Sequence, residues 1–143
     1  MAHLVSKQKV FESDRVAIFN IFIRGDGSSA DLSASTLIDL SADLAADRNG
    51  NACTDTKAVF VGGNMIGFSS YLLWDATTDV PFYVLPEFTH GVAPAFGNHM
   101  HANAVGIPNN AGTGKTGDIN ITTIGLSAVT DVGTIWLVLD KRY

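Results

Sequence analysis

The chain has 143 residues, of which 46% are apolar and 16% charged, with a formal net charge of −5. That length fits one domain able to bury its own core. The acidic balance and the lack of any basic cluster beyond Lys141-Arg142 exclude nucleic acid and anionic membrane as primary partners. The acids are 12 Asp against 2 Glu, whereas Val, Ile and Thr together number 34. Glu, Lys and Arg fill the outer faces of helices, so their scarcity disfavours helical bundles and coiled coils. Asp and Gly belong to turns, and Val, Ile and Thr to strands. The expectation is an all-β domain.

The first apolar segment, Asp14 to Arg24, carries Ile18, Phe19, Ile21, Phe22 and Ile23. Apolar groups on both faces of a strand call for cover on both sides, from a second sheet or a neighbouring subunit. Gly25-Asp26-Gly27-Ser28 ends it as a turn. A short strand over about 36–40 and a helical turn from Ser41 follow. Asn49-Gly50-Asn51 is a turn. Lys57 to Val61 is a short strand, ended by Gly62-Gly63-Asn64. Met65 to Trp74 is a longer strand, with Phe68, Leu72 and Trp74 on one face and Tyr71 and Leu73 on the other. Asp75 to Asp79 is a turn. Val80 to Leu85 is a strand whose Pro81 suits its start or a sheet edge. Residues 87–117 have no sustained period and are expected to form a long interface loop. Asp118 to Ile124 and Val132 to Leu139 are strands, joined by a hairpin loop over Ser127 to Gly133. Ile135, Leu137 and Leu139 point inward, and Trp136 and Val138 outward. The whole of 1–143 is thus expected to be one antiparallel β-sandwich, jelly-roll-like, with about seven or eight strands and one long loop.

Motifs that carry chemistry fail one by one. Gly112-Thr113-Gly114-Lys115-Thr116 ends like a phosphate-binding loop, but the required first glycine is Asn109 and a strand pattern follows where a helix is needed. His99 and His101 share a face if extended, with His90 nearby, yet they are expected to be polar loop residues at an interface and no metal is assigned. Asp47-Arg48-Asn49-Gly50-Asn51 lacks the glycine and the bidentate Glu of a calcium loop. Arg24-Gly25-Asp26, a tripeptide used in cell adhesion, coincides with the strand-ending turn. Glu12 and Glu87 are isolated, and no nucleophile, base and orienter assemble. The chain is expected to be no enzyme and to take no cofactor. Cys53 is alone, which allows no intrachain disulfide and no Cys-based zinc site. No apolar run reaches the roughly 20 residues of a membrane span, and Met1 to Lys7 has no apolar signal core.

Four stretches carry a resemblance. They are Leu37-Ile38-Asp39-Leu40-Ser41, Leu72-Leu73-Trp74-Asp75-Ala76-Thr77-Thr78-Asp79, Thr116-Gly117-Asp118-Ile119 with Thr122-Thr123 and Gly125, and Thr134-Ile135 with Leu139 and Lys141. Together they resemble a group of small virion structural proteins of tailed bacteriophages. The resemblance implies a β-sandwich on the particle, a capsid decoration (cement) protein bound outside the major capsid shell. It supplies no functional residues. The partners it implies are the major capsid protein and further copies of the chain as a homotrimer, with assembly in the host cytoplasm. The low charge agrees, because interface cores are depleted in charge and enriched in aromatics. The expected interface residues are Phe88, Phe96, His99, Met100, His101 and Ile107. Two alternatives are a tail, neck or baseplate component, and a host-surface carbohydrate-binding module using Trp74, Tyr83 and Trp136.

Overall fold

The computed structural model describes residues 2–88 and 99–143, and for 88 and 99–105 the backbone course only. In chain order the elements are β1 (Leu4–Glu12), β2 (Val16–Arg24), β3 (Ser35–Ile38), α1 (Leu40–Asp43), β4 (Asp55–Ile66), β5 (Ser69–Trp74), β6 (Val80–Leu85), β7 (Glu87–Phe88), β8 (His99–Pro108), β9 (Ile119–Ile124) and β10 (Val132–Arg142). The larger sheet runs β1-β2-β10-β4, with β7 and β8 both on β4, and the smaller runs β3-β9-β5-β6. The pairing is antiparallel except for the two-residue contact of β7 with β4. The chain is an all-β sandwich, as its composition predicts.

The core lies between the sheets. The larger sheet contributes Ala17, Phe19, Ile21, Ile23, Val61, Met65, Ile135, Leu137 and Leu139, all essentially inaccessible to water. Leu37, Leu72, Trp74, Leu85, Ile119 and Ile121 come from the smaller sheet, and Phe68 from the turn before β5. Alternation does this work: in β10 the odd-numbered side chains from Ile135 to Leu139 are buried and Trp136 and Val138 face out. Trp74 and Phe82 stack with ring centroids 4.1 Å apart.

Four expectations are corrected, and one strand, β1, had no counterpart among them. Gly62-Gly63-Asn64 does not end a strand, because β4 runs through it to Ile66 and pairs with β10 from Val132 to Arg142. The strand expected over Met65 to Trp74 is instead divided at Gly67-Phe68, its first two residues closing β4 and Ser69–Trp74 forming β5. Gly63 is needed in β4 for close approach: a methyl on it would be driven into the carbonyl oxygen of Thr134. Gly63→Ala is therefore expected to lower stability by about 2–3 kcal/mol, since backbone blocks the relief of overpacking. A urea midpoint unchanged from wild type would refute this.

β1 was not anticipated, since Leu4–Glu12 is mostly polar and exposed. It is an edge strand protected by inward-pointing charge. Lys7 Nζ donates to the Leu37 carbonyl and pairs with Asp43, while Lys9 Nζ pairs with Glu12 and donates to the Asp43 carbonyl. A bulge between Lys9 and Phe11 twists this edge further.

The predicted loop over 87–117 is not a single loop, because 99–108 is the strand β8 on the free side of β4. Its register jumps from Ile107 opposite Ala58 to Ala102 opposite Phe60, and that irregularity hides the period of two. Finally, Ser127 to Gly133 is no hairpin. It carries the chain from β9 in the smaller sheet to β10 in the larger.

Candidate functional site

The segment that resembled a phosphate loop is committed to structure. Thr77 N–H donates to Thr113 O, Thr116 N–H donates to Asp75 O, and Lys115 N–H closes a turn on Gly112 O. The Lys115 ammonium lies 3.4 Å from Asp55 and 3.5 Å from the Asn109 carbonyl, and β9 follows instead of a helix. Arg24-Gly25-Asp26 is a turn, as expected. Asp26 accepts the amides of Ser28 and Ser29 and the Ser29 hydroxyl, which hold its carboxyl well below the usual carboxylate range. A side chain at Gly25 would collide with the Ala128 carbonyl, so the turn is locked against the 127–131 connection.

A concavity of about 680 Å3 lies beside α1 and is lined by Asp39, Ser41, Cys53, Lys115, Thr116 and Asp118 among others. Asp39 caps α1: it accepts the Ser41 hydroxyl and the amides of Ser41 and Ala42, which lower its pKa. Asp118 moves the other way. Burial raises its pKa, Asp39, Asp75 and Asp43 add to that, and the Leu40 N–H it accepts opposes them. The Cys53 thiol donates to the Asp55 carbonyl. Deeper in the turn, the Asn120 amide donates to both Asp75 and Asp79, and the Thr116 hydroxyl donates to Asp75. These acids hold turns together, which is why the chain spends Asp and not Glu: the short arm reaches a neighbouring amide. Among the described residues, no group of three or more His, Cys, Asp or Glu is placed to hold a metal ion.

The expected interface residues scatter. Phe88 is in β7 opposite Ile66, and His99, Met100 and His101 occupy β8 positions opposite Gly63, Gly62 and Val61. Ile107 is half-buried against the core. Phe96 and His90 lie outside the described residues. Trp74 is completely buried, so it is core and offers no platform to a sugar, whereas Trp136 is 38% exposed.

Exposed apolar side chains gather elsewhere, on the outer faces of both sheets. On the larger sheet, three rows lie in register: Phe22, Thr134 and Asn64, then Asn20, Trp136 and Gly62, then Ile18, Val138 and Phe60. Phe11 extends the last row from β1 and is 52% exposed. A bulge at Val59 lets both Val59 and Phe60 stay partly accessible. None of these positions is charged. On the smaller sheet, Val84 and Ile124 are 56% and 57% exposed, with Tyr71 and Thr122 paired between them. The two-faced pattern of 14–24 was the sequence signal for the first surface: its inner half is core, and its outer half, with Phe22 at 39%, is partly open.

Comparison with known proteins gives no match, whether to family models, to curated proteins or to solved structures.

Proposed function

We propose that this chain is a structural virion protein: a capsid decoration (cement) protein that binds the outer shell and stabilises contacts between major capsid subunits. The observation that carries the proposal is the pair of outer sheet faces, each with exposed apolar side chains, on opposite sides of the sandwich. A clamp between neighbours needs two sticky sides, low charge on them and no mobile chemistry, and large exposed apolar patches mark sites of protein association. The resemblance in the four stretches named above supports the same reading.

The test is the position of the protein on a purified particle. Density for the sandwich repeated over the shell surface, at many copies, is the expected result. A few copies confined to one vertex would transfer the protein to the tail or neck, and absence from the particle would end the virion reading.

A further inference from the structure

We infer that the outer face of the larger sheet is the contact between two copies of this chain, packed face to face about a twofold axis. This goes beyond the decoration reading and does not depend on it: in such a dimer the two smaller-sheet faces, with Val84 and Ile124, are the outward sides left for other neighbours.

The size of the face is the first argument. Five strands, β1, β2, β10, β4 and β8, lie side by side, and β2 has 9 residues. At about 4.8 Å between strands and about 3.3 Å per residue, the face is on the order of 700 Å2. Two such faces bury about 1,400 Å2, within the range of specific stable interfaces.

The second argument is charge. The chain carries a net −5, so two copies repel each other overall. The rows through Phe22, Asn20 and Ile18 are uncharged, so here two copies approach without that cost. The face ends in charge instead. Arg24 lies at one end, exposed and without an ion pair among the described residues. Asp140 lies at the other end, paired with Arg142 at 3.1 Å and in register with Val16 and Lys57. A twofold axis along the Asn20–Trp136 row reverses the strands and sets the uncharged rows of the two copies against each other.

The third argument is shape. The same axis sets the bulky Phe22 of one copy against the smaller Ile18 of the other, and Val138 against Thr134. Trp136, opposite the buried Gly62, meets its own equivalent at the centre. Two twisted antiparallel sheets pack this way about 10 Å apart. A closed twofold contact gives a dimer, and not the trimer suggested by the resemblance.

Sedimentation equilibrium of the free protein tests this. The expected mass is twice the 15.1 kDa of the chain. Trp136→Lys is expected to weaken the dimer by about 30-fold or more, as a central aromatic anchor does. Thr134→Arg, at an exposed position that adds nothing to the core, covers the case in which the tryptophan variant folds poorly. Val84→Lys, on the other sheet, should leave the dimer intact. A monomer up to about 100 μM, a trimer, or a dimer unaffected by Trp136→Lys and Thr134→Arg would overturn the inference. Particle binding is scored separately. A dimer that does not bind particles removes the decoration reading alone, and a monomer that binds them removes the dimer alone.

Discussion

Leu137→Asp is expected to unfold the protein. Leu137 sits in the middle of β10, flanked by β2 and β4 on its two sides, and is completely buried. Removing a buried leucine side chain costs about 2–5 kcal/mol by itself. The carboxylate that replaces it enters an apolar layer with no cation opposite: its register partners are Phe19 and Val61. An unpaired buried charge adds several kcal/mol. Together these approach the whole stability of a domain of this size, about 5–15 kcal/mol. Val138→Asp, one residue along, is the matched control. Its side chain faces the outer surface, so a folded, slightly destabilised protein is expected. Far-ultraviolet circular dichroism and a thermal melt read both. A native melt for Leu137→Asp, or an unfolded Val138→Asp, would reverse the assignment of inner and outer faces.

That assignment was legible in the sequence because Val132 to Leu139 is an unbroken strand run in which Ile135, Leu137 and Leu139 share one face. Val80 to Leu85 was legible for a different reason, since Pro81 marks the start of an edge strand. Elsewhere two physical effects hid the strands. In β4, Gly62 and Gly63 look like a turn, but at Gly63 the missing side chain serves contact with Thr134. In β8, the register irregularity breaks the period of two, and in β1 there is no buried face to produce one. The surfaces were half legible. A strand apolar on both sides announced that something must cover Phe22 and Ile18. Which side lay open depended on β9 crossing to the other sheet, and no local pattern encodes that. The interface residues expected in 87–117 lie in a segment without a period in its sequence, and such a segment does not distinguish a docking loop from a strand.

Acid is expected to destabilise the protein between about pH 4.5 and pH 2, and the cluster around Lys141 is the main reason. The Lys141 side chain is 1% exposed, and its three N–H donors are all used. They go to Glu12 Oε2 at 2.9 Å, the Ser13 carbonyl at 3.0 Å and the Ala45 carbonyl at 3.1 Å. Burial pushes the Glu12 carboxyl up. Lys9, Lys141 and the Ala45 N–H outweigh burial and bring it from 4.5 down to about 2. A carboxyl held below its unfolded value contributes stability above pH 4.5 and loses it as the pH falls through about 2. For Glu12 the loss is on the order of 1–2 kcal/mol after solvent screening. Asp26, Asp31, Asp39 and Asp47 are also held low and steepen the fall, whereas Asp118, held high, opposes it. Lys141→Ala is expected to cost about 3–5 kcal/mol at neutral pH, because it leaves the Glu12 charge and two carbonyls without their shared donor. Glu12→Gln should cost less and flatten the acid slope. Urea midpoints for the three proteins at a series of pH values carry the test. The assignment fails if wild type and Glu12→Gln lose stability with the same slope, since the Glu12–Lys141 pair then contributes nothing to the pH dependence.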